Sequence, residues 1–105
     1  MMNEHDLLEE MSSLCHDEWV SWSKELAKEL EEAVILMKRD IKYFENIGAG
    51  HMEAANLVKK IENRLERWET LWVPYEELSE EWKEADRKYA QKMLNLTKNR
   101  RIKNE

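Results

Sequence analysis

From Glu4 to about Asn46 the chain contains neither Gly nor Pro, and apolar residues return every three or four positions, at Leu7, Met11, Cys15, Trp19, Trp22, Leu26, Leu30, Ala33, Met37, Ile41 and Phe44. Successive residues of an α-helix are about 100° apart, so this spacing draws one apolar stripe and predicts a helix across the whole segment, with Asn3 as its N-cap. A single rod of that length would run about 60 Å at 1.5 Å per residue, which is long for a domain of this mass. A break is therefore expected at Ser12-Ser13, with Ser13 capping a second start. Both glycines fall in Ile47-Gly48-Ala49-Gly50, where a turn belongs. Helical spacing resumes with Met52, Ala55, Leu57, Val58, Ile61, Leu65, Trp68, Leu71 and Trp72, and stops at Val73-Pro74 because Pro disfavours an α conformation in the residue before it. The second helix is thus about 52 to 72. Ser79 reads as the N-cap of a third helix that runs to about Asn99, with Trp82, Ala85, Tyr89, Met93 and Leu96 as its apolar line. Arg100 to Glu105 are expected to fray.

These elements predict an all-α fold: a small helical bundle of three main helices with a long first helix and a Pro-Tyr turn before the last. At 105 residues it forms one domain, with residues 1–14 as an N-terminal extension and 100–105 as a basic tail. Two Gly and one Pro are far too few for the turns of an all-β domain. A lone cysteine, Cys15, cannot form an intramolecular disulfide and points to the cytoplasm. The acidic start MMNEHDLLEEM is unlike a secretory signal, and no stretch approaches the roughly 20 apolar residues of a membrane span. Neither a membrane nor an export route enters the picture.

Charge is unevenly distributed. Of the 23 acids, 22 precede Arg87, but only 10 of the 17 basic residues do, a balance of −12 before that point and +6 after it. The basic end can complement the acidic body of the same molecule or of a neighbour. Nucleic acid is a poor partner for it, since the acidic body repels phosphates and no aromatic residue interleaves the last fifteen positions.

Catalysis needs a base beside a nucleophile or paired carboxylates in a pocket, and neither is evident. Cys15-His16 are adjacent on a helix and point about 100° apart, so the imidazole is badly placed to activate the thiol. His5, His16 and His51 are scattered, without HxxxH or CxxC, and there is no Gly-rich phosphate loop; no metal or cofactor is expected. The five tryptophans are the more unusual feature. Trp19 and Trp22 are three apart, Trp68 and Trp72 four apart, and Trp82 opens the third helix. Core packing accounts for aromatics at that spacing. Alternatively, with His16 three before Trp19, Arg64 four before Trp68 and Arg67 beside it, they could floor a cleft that stacks a base or grips an anion.

His16-x-x-Trp19-x-x-Trp22, Glu66-Arg67-Trp68, Pro74-Tyr75-x-x-Leu78-Ser79-Glu80 and Asp86-Arg87 occur in that order. Together they resemble the small prokaryotic and phage relatives of the ryanodine-receptor-type (Ryr) repeat domain, over roughly Cys15 to Leu94. The resemblance implies a helical binding module without catalysis, one that recognises a nucleotide-derived small molecule or counters host defence. Its motif residues would be His16, Trp19, Arg67, Trp68, Tyr75, Asp86 and Arg87. Asp86 and Arg87 also have structural readings, Asp86 pinning the Pro74-Tyr75 turn and Arg87 pairing with an acid elsewhere, and Tyr75 can simply bury its ring.

The functional expectation is a non-enzymatic module that binds a small anionic ligand in a Trp/Arg/His cleft formed by His16, Trp19, Trp22, Arg64, Arg67, Trp68, Tyr75, Asp86 and Arg87. The alternative is a protein-interaction module of phage or mobile-element origin, a host-protein inhibitor or a homo-oligomer, that uses its acidic helical face.

Overall fold

The computed structural model describes residues 3–104, with side chains through Asn99. The chain is all-α: α1 spans Glu4–Asn46, α2 Met52–Leu71 and α3 Glu80–Asn104, with a single 3₁₀ turn at Tyr75–Glu77 and no strand among the described residues. It divides into two units, Met1–Val20 with Val73–Glu105, and Ser21–Trp72.

Asn3 caps α1 as expected, its side-chain oxygen accepting the backbone N–H of Asp6 at 2.8 Å. The expected break at Ser12-Ser13 does not occur. Ser12 instead turns its hydroxyl back to the Leu8 carbonyl at 2.7 Å, which satisfies a fully buried polar group without leaving the helix. The third helix is longer than the sequence indicated: α3 continues past Asn99 to Asn104, while Glu105 lies outside the described residues.

In the Ser21–Trp72 unit, the later part of α1 and α2 are antiparallel. The Trp72 indole N–H donates to Ser23 Oγ at 3.0 Å, and Lys38 pairs with Glu62 at 2.9 Å farther along. Ala27, Val34, Val58 and Leu65 are buried in this unit. The turn joining the two helices closes the last carbonyls of α1 by a Schellman arrangement: Ala49 N–H donates to Phe44 O at 2.9 Å and Gly48 N–H to Glu45 O at 3.1 Å. This requires a left-handed residue, and Gly48 supplies it at φ +71°. A Cβ on Gly48 would meet nothing within 4 Å, so the cost of Gly48→Ala is purely one of backbone conformation, about 1 kcal/mol. Gly50 has equally open surroundings and no positive φ, so in urea denaturation Gly48→Ala should lower stability while Gly50→Ala is neutral.

In the other unit, rising positions on α1 meet falling positions on α3. Glu4 pairs with Lys98, Glu9 with Arg87, and His16 faces Asp86, so the two helices are antiparallel. Pro74, at φ −56° and ψ 148°, directs the chain into the 3₁₀ turn, which places Tyr75 and Leu78 in the interior. Ser79 stands at the head of α3, its carbonyl accepting Lys83 N–H at 3.0 Å.

The helix faces are rotated from those the apolar stripes marked. On α1 the buried positions are Ser12, His16, Ser23, Ala27 and Val34, one step from the expected line of Met11, Cys15, Trp22, Leu26 and Ala33. On α3 they are Ala90 and Leu94, while Trp82, Tyr89, Met93 and Leu96 of the expected line are exposed. Small side chains let backbones approach closely, and a buried hydroxyl is tolerated where its hydrogen bond is made, so Ser and Ala compete successfully for these positions.

Candidate functional site

The densest polar arrangement lies in the unit formed by Met1–Val20 and Val73–Glu105, and its hub is Glu9. One carboxylate oxygen accepts the Tyr75 hydroxyl at 2.8 Å and the other accepts Arg87 Nε at 2.5 Å. Arg87 Nη1 donates further to Glu80 at 2.9 Å and Glu84 at 3.4 Å. The guanidinium beside Glu9 holds its carboxyl below the usual range, against the opposing effect of burial, with the Tyr75 hydroxyl adding to the lowering. Arg87 is in turn pushed up, chiefly by its hydrogen bonds to Glu9 and Glu80. Burial raises the Tyr75 phenol to about 12, reinforced by the Glu9 carboxylate. The Lys83 ammonium lies 5.6 Å from the centre of the Tyr75 ring.

His16 forms the second half of the arrangement. It is 4% exposed, and its Nε2 lies 2.6 Å from the Val73 carbonyl oxygen. A carbonyl can only accept, so Nε2 carries a proton. Nδ1 faces Asp86 Oδ2 at 3.7 Å, an electrostatic contact beyond hydrogen-bond range. Burial raises the Asp86 carboxyl above its ordinary value, opposed by His16. Trp19 stacks on the imidazole with centroids 6.1 Å apart and planes 24° from parallel, and Tyr75 lies 6.5 Å away at a tilt. Cys15, next in sequence, is partly buried, and its thiol is pushed up by burial and by the charges of Asp86 and Glu18, away from the thiolate a nucleophile needs.

Five of the expected site residues, His16, Trp19, Tyr75, Asp86 and Arg87, thus belong to one unit. The other four, Trp22, Arg64, Arg67 and Trp68, belong to Ser21–Trp72. There Trp22 and Trp68 meet edge to face, 6.3 Å between centroids, and Arg64 and Arg67 are exposed. Glu9, Ser12 and Glu80 are not among the expected site residues. The signal for the first two was present: Glu9, Ser12 and His16 fall on one face of α1 at helical spacing, and polar residues on that face need partners. Which partner answers Glu9 was not readable, since Arg87 lies 78 positions away.

Chemically, this cluster is closed. Each carboxylate with a strongly placed cation is neutralised by it, and no buried side-chain nitrogen or oxygen among the described residues lacks a hydrogen bond. Among the same residues no three His, Cys, Asp or Glu side chains are arranged to hold a metal ion, and no helix is long and apolar enough to cross a membrane. An open depression of about 450 Å³ borders the cluster, lined by His5, Glu9, Glu84, Arg87, Lys88 and Gln91 among others. No family model, no curated protein and no solved structure matches the chain.

Proposed function

We propose that this chain is a non-enzymatic protein-association module whose working surface is the outward apolar line of α3. The observation that carries this reading is the rotation of that helix. Trp82, Tyr89, Met93 and Leu96 are 48%, 65%, 43% and 57% exposed, while Ala90 and Leu94, about 100° further round the helix, are buried. Isolated exposed apolar residues are ordinary, but a line of them at helical spacing over about four turns is the form in which one amphipathic helix presents itself to another.

The partner of matching chemistry is an amphipathic helix with charges running the other way. Along one flank of the line the charge changes sign, from Glu81 near the start of α3 to Lys88 and Lys92 farther on. A small anion held by the aromatic and cationic residues has less in its favour. His16 commits Nε2 to a backbone carbonyl, and Arg87 commits Nε and Nη1 to carboxylates. In the neighbouring depression an anion would meet Glu9 and Glu84 as well as Arg87 and Lys88. The resemblance to Ryr-type modules fits the proposal in one respect, the lack of catalysis.

Substituting Tyr89→Glu with Met93→Glu places charges on exposed positions, so helix content and melting should hold. In affinity capture at low salt, the wild type should retain a protein that this double variant loses. Intrinsic tryptophan fluorescence should stay flat through titrations with mono-, di- and cyclic nucleotides. A saturable nucleotide response abolished by Arg67→Ala would overturn the proposal in favour of the small-ligand reading.

A further inference from the structure

We infer that a proton bridging His16 Nδ1 and Asp86 Oδ2 is part of this fold, and that its loss at higher pH releases the turn on which Tyr75 enters the interior. Neither group belongs to the association surface proposed above. The neighbours of the His16 ring favour a second proton on it. Val73 O accepts Nε2–H at 2.6 Å, shorter than an ordinary N–H···O bond and in keeping with a charged donor. At the other nitrogen stands a carboxylate, Asp86 Oδ2, 3.7 Å from Nδ1. Trp19 lays the electron-rich face of its indole along the imidazole, 24° from parallel. Without a proton between them, the lone pair of Nδ1 and those of the carboxylate face one another, and His16 is buried, so little water screens the repulsion.

The other titratable groups about the ring leave the proton to this pair. On α1, Asp17 and Glu18 are exposed, and Cys15 keeps its thiol, pushed up by burial and then by Asp86 and Glu18. In the 3₁₀ turn, Tyr75 lies 6.5 Å away and gives its hydroxyl to Glu9, with its phenol raised to about 12. On α3, Arg87 is held by Glu9, Glu80 and Glu84, and the Lys83 ammonium lies over the Tyr75 ring. Burial raises the Asp86 carboxyl, against the effect of His16, which is the direction that retains a shared proton. Through His16, Asp86 reaches the turn: it faces the ring, the ring holds Val73 O, and Val73 leads into Pro74 and Tyr75. There Glu77 N–H donates to Pro74 O at 2.9 Å and Leu78 N–H to Tyr75 O at 3.1 Å. Once the proton leaves, Asp86 repels the ring, Nε2–H becomes a weaker donor, and the turn loses its hold. The folded unit binds a proton that the unfolded chain gives up, so the pair's contribution is present at mildly acid pH and is lost as pH rises, opposite in sign to that of Glu9.

Nuclear magnetic resonance on the isotope-labelled wild-type chain reads the proton directly, with the imidazole signals assigned through His5→Gln and His51→Gln. At about pH 5.5 the nitrogen shifts should show His16 Nδ1 protonated, or the carbon shifts should show Asp86 as the acid. A bare Nδ1 beside an ionised Asp86 at that pH would sink the inference. In urea denaturation, the ratio of the wild-type folding constant to that of Asp86→Asn should fall roughly tenfold between about pH 5.5 and about pH 8.5, the effect of one linked proton displaced by about one pH unit. The Glu9 contribution is common to both chains and cancels in the ratio. Over the same interval, hydrogen-exchange protection of the Glu77 and Leu78 amides, corrected for the intrinsic rate, should fall in the wild type but not in Asp86→Asn. A ratio that is flat or rises with pH, or wild-type protection that stays level, would contradict the inference. Should Asp86→Asn fail to fold, the wild-type resonances and exchange still decide.

Discussion

Tyr75→Ala is expected to destabilise the protein by about 3–5 kcal/mol, the range found when a buried aromatic side chain is truncated to alanine. Tyr75 is 5% exposed and enters the interior from a 3₁₀ turn only three residues long, so little neighbouring structure can collapse into the space it leaves. Three further contacts go with it: the hydroxyl's bond to Glu9, the approach to the His16 ring and the ammonium of Lys83 over its face. Since small domains are stable by only about 5–15 kcal/mol, the midpoint of urea denaturation should fall sharply, with near-ultraviolet circular dichroism lost at lower denaturant. Tyr75→Phe keeps the ring and gives up one charge-assisted hydrogen bond, so about 1–2 kcal/mol is expected. A loss below about 1 kcal/mol for Tyr75→Ala would mean that the turn is held by something other than this ring.

Glu9→Ala should be the second most damaging change, at about 2–3 kcal/mol. Its carboxylate is the common acceptor for Tyr75 and Arg87, and removing it leaves a hydroxyl without its bond in the interior and a cation short of its closest partner. Because Glu80 and Glu84 still reach Arg87, the loss should stay below that of an ion pair with no alternative acceptor. A double-mutant cycle with Arg87→Ala should show coupling, the double variant losing less than the two single variants together. The pH dependence has a definite sign. The Glu9 carboxyl is depressed in the folded protein, so its contribution is fully present above the ordinary carboxylate range near 4.5 and is lost as pH falls through the folded value. Stability measured at neutral pH and again below pH 4 should therefore fall more steeply for the wild type than for Glu9→Gln. Equal slopes would remove Glu9 from its place at the hub.

The element boundaries came from strictly local chemistry. Uninterrupted helical spacing to Asn46, Gly48 at a left-handed turn and Pro74 after the second helix are each decided by a few neighbouring residues, and the first two helices end where those residues say. The stripes were less informative. Reading Leu7, Met11, Cys15 and Trp19 as the inward line assumes that the most apolar face is the buried one, but Ser12 and His16 lie deeper. On α3 the same assumption fails, because Asp86 and Arg87 must turn towards His16 and Glu9, which carries Trp82 and Tyr89 outward.

By itself the sequence determined the all-α class, the three helices, the turn chemistry and the polarity of charge along the chain, because propensity, capping and net charge depend on residues near one another. Only the tertiary structure decided that α1 is unbroken, that Glu9 joins Tyr75 to Arg87, and which way α3 is turned. Those outcomes depend on pairs of groups such as Glu9 and Arg87, 78 positions apart, whose mutual satisfaction outweighs the burial of a larger apolar surface.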